Sequence, residues 1–135
     1  MRVKVRFETA DFEGMTDVSE VTAVLSADDK GYRLTYVEDL AGDGNKTKSE
    51  LLVSADGLRI IRKGQIDSDF MYGNGVTCNT FYRMPYGGMP VTVETTDYEY
   101  HEVLGDYPDI TVKVEYVLIF HGQEPMNMKI KININ

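Results

Sequence analysis

Ile110-Thr111-Val112-Lys113-Val114-Glu115-Tyr116-Val117-Leu118-Ile119-Phe120 is the stretch on which the fold turns. Its apolar residues Ile110, Val112, Val114, Tyr116, Leu118 and Phe120 recur at every second position, and a strand sorts such a series onto one face. A helix would need apolar residues three and four apart over ten or more positions, and no segment of the chain offers that. The same rhythm spreads outward from this run. Toward the C-terminus it returns in Met128, Ile130, Ile132 and Ile134. Toward the N-terminus it appears in Tyr32, Leu34 and Tyr36, in Val21, Ala23 and Leu25, and in Val3, Val5 and Phe7 set against Arg2, Lys4, Arg6 and Glu8. These runs are rich in Val, Ile, Thr and Tyr, which suit a pleated, half-buried surface.

Turn signals separate the runs. Asp28-Asp29-Lys30-Gly31 and Ala55-Asp56-Gly57 suit tight hairpin connections, and Gly42-Asp43-Gly44-Asn45, Gly73-Asn74-Gly75 and Gly105-Asp106 are further breaks. Connections this short favour antiparallel neighbours, since a parallel crossover needs a dozen or more residues. About nine or ten strands follow one another, too many for a comfortable flat sheet, and closing the sheet removes its exposed edges. The expectation is all-β: a single antiparallel barrel of about eight to ten strands spanning residues 1–135. A two-sheet sandwich satisfies the same alternation. No repeat, low-complexity tract or linker marks a domain boundary.

The length, 135 residues, is that of one domain, with a core large enough to stand without disulfides. Cys78 is the only cysteine, so no intramolecular disulfide can form, which fits a reducing compartment. The N-terminal Met1-Arg2-Val3-Lys4-Val5-Arg6 has no apolar core of a secretory signal, and no run approaches the ~20 apolar residues of a membrane-spanning helix. A cytoplasmic protein is expected. The formal net charge of −8 repels phosphate backbones and anionic membranes, so neither nucleic acid nor membrane is an expected partner.

Three stretches carry a likeness to a known family: Leu58-Arg59-Ile60-Ile61-Arg62-Lys63-Gly64, Phe81-Tyr82-Arg83-Met84-Pro85-Tyr86-Gly87, and residues 116–135 with His121-Gly122-Gln123. With the strand-first N-terminus, the chain resembles the YwiB-like family over essentially its whole length. That resemblance implies a calycin-type (lipocalin-like) antiparallel barrel. It implies no catalytic residue, cofactor or activity. The chain departs from the family pattern at Met84, where threonine is common, and at His121, where asparagine is common. The Pro85-Tyr86-Gly87-Gly88 turn is expected to break the strand order.

Candidate chemistry is sparse. Asp39, Asp43, Gly44 and Glu50 fall at four positions of a twelve-residue calcium loop, but Ala41 lacks a ligand oxygen and the flanks read as strands, so a polar hairpin loop is the better reading. Cys78 with His101 or His121 would make a nucleophile and base, yet no strained elbow or oxyanion motif surrounds Cys78. A role as a small buried hydrophobe for Cys78 and solvent-facing strand ends for both histidines are expected. No ligand spacing suggests zinc. Paired acids such as Asp11/Glu13, Asp28/Asp29, Asp67/Asp69, Glu94/Asp97 and Glu99/Glu102 arise freely among 22 acidic residues. Asn45-Lys46-Thr47 matches a glycosylation sequon that a cytoplasmic chain never presents to the machinery. Met84, Met89, Met126 and Met128 read as gap fillers near the barrel ends.

Tyrosine is the informative type: nine are present and no tryptophan. Tyr32, Tyr36, Tyr82 and Tyr116 lie in strand-like runs, and a buried tyrosine brings a hydroxyl that must find a partner. Arg62 shares a face with Leu58 and Ile60, and an inward guanidinium needs an acceptor. Either a ligand anion or an internal acid such as Glu38 or Glu115 would serve. The functional expectation is a non-catalytic barrel that binds a small amphipathic or anionic molecule, with Arg62 as anchor and Tyr32, Tyr36, Tyr82 and Tyr116 as walls. The alternative is a packed barrel acting as a protein-interaction or homodimerisation module, with an apolar patch around residues 84–93.

Overall fold

A computed structural model describes residues 1–11, 13–39, 44 and 46–135. Among the described residues there is no helix, hence none long and apolar enough to cross a membrane. Ten strands are present: β1 (Arg2–Asp11), β2 (Thr16–Ala27), β3 (Tyr32–Glu38), β4 (Thr47–Val53), β5 (Leu58–Lys63), β6 (Ser68–Tyr72), β7 (Thr77–Met84), β8 (Gly87–Glu102), β9 (Ile110–Phe120) and β10 (Met126–Ile134). The run that opened the sequence reading is β9, buried at alternate positions as its period of two demands.

All laddered neighbours are antiparallel, in the order β6-β5-β4-β3-β2-β1-β10-β9-β8-β7. Sequence neighbours are spatial neighbours throughout, and β1 pairs β10 to join the two ends of the chain. The flanks of β6 and β7 lie side by side but share backbone hydrogen bonds at one point, where Asp67 and Arg83 exchange both at 3.0 and 2.9 Å. The sheet is therefore a nearly closed barrel with a seam, not a sandwich. The order breaks at that seam. The Pro85-Tyr86 turn does not break it: it is a tight hairpin connection that sets Met84 opposite Gly87, because two residues suffice to reverse an antiparallel strand.

Curvature has a local source. β8 is the longest strand, and its register against β9 shifts between Thr95 and Asp97. Such a bulge bends the strand and raises its twist, which helps curl a sheet toward closure. At the bend Thr95 N–H donates to the Val76 carbonyl at 3.0 Å, and Asn74 grips Tyr98 twice: its Oδ1 accepts the Tyr98 N–H at 2.9 Å and its Nδ2 donates to the Tyr98 carbonyl at 3.3 Å. The seam turn is thus stitched onto β8.

Several of the paired acids are turn makers. Asp11 Oδ1 accepts the N–H groups of Glu13 and Met15, Asp28 Oδ1 those of Lys30 and Gly31, and Asp67 Oδ1 that of Gly64. Short acidic side chains mimic a backbone turn in this way. Asp69 instead receives two hydrogen bonds from Arg59 on the outer face, at 2.8 and 2.6 Å.

The interior is built in cross-strand rows. Leu34, Leu51, Ile60 and Phe70 stand opposite one another on β3 to β6, and Val5, Val93, Val112 and Ile132 meet them from the far wall with no exposed surface. These middle rows are packed solid by their own side chains.

Candidate functional site

Two residues further along β3 to β6, on the same face, the composition of the row changes. The pairings Tyr36–Ser49, Ser49–Arg62 and Arg62–Ser68 make a continuous polar line across four strands, and Glu38 opposite Thr47 closes the end of the barrel behind it. Tyr36, Thr47, Ser49 and Ser68 are buried. Arg62 faces inward as its spacing from Leu58 and Ile60 predicts, with a side chain 24% exposed.

Arg62 is held loosely. Its Nε stands 3.8 Å from Glu38 Oε1, beyond hydrogen-bond reach, while the same oxygen accepts the Ser49 hydroxyl at 3.1 Å. Glu38, rather than Glu115, is thus the internal acid; Glu115 pairs with Lys129 on the outer face. The hydroxyls of Tyr36, Thr47 and Ser68 are buried and make no hydrogen bond of acceptable geometry. Burial pushes the Tyr36 hydroxyl up to about 12, and the nearby Arg62 works against that rise. Burial likewise raises Tyr72 well above 10.0 and raises Tyr116, with Arg62 again opposing in both. Arg62 is therefore the positive charge common to three buried tyrosines.

The expected walls are only partly brought together. Tyr36 packs on Phe7 with ring centroids 5.9 Å apart, and Tyr116 meets Tyr72 edge-on at 5.1 Å. Tyr82 reaches the same end from across the seam, next to the Asp67–Arg83 bridge, with its ring 6.3 Å from both Phe70 and Phe120. Tyr32 stands apart. It shares the face of Tyr36 but lies four residues back along β3, roughly 13 Å away at strand rise. Its hydroxyl donates to Glu102 at the opposite end of the barrel. Tyr72 was missed by sequence reasoning, although its spacing from Phe70 and the following Gly73 turn mark it as the inward end of a strand.

Beside the polar line the seam opens into a cleft of about 410 Å³ whose lining includes Arg62, Ser68, Asp67, Phe81 and Arg83. Only one bridge joins β6 to β7, so the backbone does not seal the wall there.

The remaining candidates fall out separately. Cys78 is half-buried opposite Val93, its thiol 3.9 Å from the Asp69 carbonyl. His101 lies eight residues along β8 from Val93, roughly 26 Å away, and both histidines are exposed at strand ends. Of the calcium-loop residues, Asp39 accepts the Gly44 N–H and Glu50 binds Arg33 at 2.6 Å on the outer face, so the two do not converge. Ala41, Asp43 and the sequon's Asn45 lie outside the described residues. Among the described residues, no three His, Cys, Asp or Glu side chains are grouped to hold a metal ion. Within residues 84–93, Met84 and Met89 are half-buried and Val91 and Val93 are core; Tyr86 alone is a large, fully exposed apolar group.

A family model described as a domain of unknown function, DUF1934, matches residues 3–132. No curated relative matches the chain. Among solved structures, the ywiB protein from Bacillus subtilis is similar, with a TM-score of 0.68 and 18% identity over 99% of this chain and 92% of that one. At that identity the likeness concerns the fold.

Proposed function

The chain belongs to the DUF1934, YwiB-like family, and from that premise we propose a non-catalytic barrel that binds a small amphipathic or anionic molecule where the polar row meets the seam. Arg62 is the anchor, with Tyr36, Tyr82 and Tyr116 around it. The observation that carries this reading is the pair of buried hydroxyls on Thr47 and Ser68 left without partners, and a Tyr36 hydroxyl within reach of Ser49 and Arg62 but poorly aligned with both, beside a guanidinium whose acid stands 3.8 Å off. Native interiors pair nearly all such groups, and each one left unmade costs about 1–3 kcal/mol. A ligand head group rich in oxygen supplies acceptors to Arg62 and partners to the hydroxyls together. The solid middle rows confine such a ligand to this end. An open seam cleft of about 410 Å³ is within the range of small-molecule sites. Arg62, Lys63 and Arg83 outnumber Asp67 and Asp69 around that cleft, which favours an anion. A calycin-like frame, implied by the family resemblance and consistent with the up-and-down strand order, accommodates one small ligand in the same way. A cytoplasmic setting belongs to this reading and rests on the lone, unpaired Cys78.

Native mass spectrometry of protein purified from its source cells is the test. The expected spectrum shows an added small mass that is lost on denaturation and absent from Arg62→Leu and from the milder Ser68→Ala. Titration with decanoate should shift the Ser49, Arg62 and Ser68 amides. A bare protein mass together with no decanoate response at these amides would sink the reading.

One observation favours a second reading. Tyr86 is 99% exposed at the tip of the β7–β8 hairpin and Phe81 46% exposed further down the same hairpin, which suits an interaction or homodimer module with no ligand. Light scattering that shows a concentration-dependent dimer, abolished by Tyr86→Ser, would support it.

A further inference from the structure

The outer wall of the barrel divides along one line. β2 pairs β3 only from Val24 to Ala27, although β2 continues to pair β1 back to Thr16 and β3 continues to pair β4 out to Glu38. At this divergence the outer face carries a groove of about 740 Å³. Among the described residues its charged lining is Arg2, Arg33, Lys48 and Lys63 against the single acid Glu50, four positive and one negative, or +3 on a chain whose net charge is −8. Arg33 and Glu50 satisfy each other at 2.6 Å. Arg2, Lys48 and Lys63 have no ion-pair partner among the described residues.

Lys48 and Lys63 are direct cross-strand partners, and like charges set opposite each other destabilise a sheet. Two acids, Glu50 and Asp69, stand opposite Ile61 on either side; Glu50 is bound by Arg33, and both oxygens of Asp69 are taken by Arg59, which leaves Lys63 only a longer-range attraction to it. The floor between the cations is apolar, with Val37 and Ile61 among its residues. A repulsive pair of point charges, each with three rotatable donors, is suited to a compact dianion between them.

We propose that this groove is a second ligand site, on the outside of the barrel, for a phosphate monoester with an apolar body. The phosphate sits between Lys48 and Lys63, the body lies on Val37 and Ile61, and Arg2 stands at the far end of the groove. The groove lies on the other side of the wall from Arg62, although Tyr36 and Ser49 of the interior row and Lys63 of the seam cleft also line it.

Phenyl phosphate is the probe, titrated against the whole chain while amide shifts are followed. Saturable shifts are expected at Val24, Thr35, Val37 and Lys48, with affinity at least tenfold weaker in Lys48→Gln. Without ligand, Lys48→Gln should leave the melting temperature unchanged or higher, because it removes a repulsion; a lowered value would deny that the pair is strained. Phenol, which lacks the dianion, should give no response, and an equal response to it overturns the charge argument. Shifts confined to Ser68 and Thr80 would assign the anion to the seam cleft and refute the groove while leaving the interior reading intact.

Discussion

Raising the pH above 10 should unfold this barrel through its tyrosines, and the size of the effect follows from their burial. Tyr36 has its hydroxyl pushed from 10.0 to about 12 by burial, and Tyr72, Tyr98 and Tyr116 are raised for the same leading reason. A raised value means that the folded chain keeps the proton after the unfolded chain has released it. The stabilising contribution is therefore intact below pH 10 and is lost as the pH climbs toward the folded value. For Tyr36 the gap between 10.0 and about 12 converts to roughly 2 kcal/mol lost by pH 12, and the other three add in the same direction. Against a typical domain stability of about 5–15 kcal/mol, four such groups are enough to bring the transition into this window. The assay is paired: phenolate absorbance for ionisation and far-ultraviolet circular dichroism for structure, followed over the same titration. Ionisation of the buried class should coincide with loss of the β signal. Tyr36→Phe should keep its structure to higher pH, and at neutral pH should be at least as stable as the parent, because the hydroxyl it removes makes no well-aligned hydrogen bond. Six or more of the nine tyrosines ionising near 10 with the sheet intact would refute the reasoning, since only five lie outside the buried class.

Four further outcomes test the frame around the sites. Gly64→Ala should cost roughly 3 kcal/mol in urea denaturation, since a Cβ there would lie 2.6 Å from the Lys46 carbonyl oxygen and 2.9 Å from Thr47 Cα on a backbone with φ of 143°. Gly14→Ala, also at positive φ but facing open space, should cost only about 1 kcal/mol by the same measurement. Asn74→Ala removes both hydrogen bonds to Tyr98 and should cost about 1–3 kcal/mol, with amide exchange at Tyr98 rising first. Asp69→Asn should cost about 0.5 kcal/mol or less at pH 7, because its pair with Arg59 is 43% and 40% exposed and so screened by solvent. Arg59 holds the Asp69 carboxyl below its ordinary 3.8, so this small contribution should fade as the pH falls below that range, and the two proteins should unfold alike in strong acid.

Period two determined a large part of this molecule. In the run from Ile110 to Phe120, and in each shorter run like it, alternation identified a strand and told inward from outward residues. That is why Arg62 could be placed inside from Leu58 and Ile60 alone. Face is a local property: each backbone unit turns the next side chain over, whatever lies beside it. The turn at Asp28-Asp29-Lys30-Gly31 was legible for a similar reason, since the Asp28 side chain caps its own loop.

Register and closure were settled only by tertiary structure. Tyr32 and Tyr36 share a face and look alike in sequence, yet they stand at opposite ends of the barrel, and only one of them lies near Arg62. The alignment of Tyr36, Ser49, Arg62 and Ser68 into one line, the facing of Lys48 by Lys63, and the single bridge from Asp67 to Arg83 depend on how far each strand slides against its neighbour. That slide is decided by turn lengths and by packing between residues remote in the chain, so no single segment contains it. The sequence by itself determined which side chains face the interior; the closing of the ring decided which of them meet.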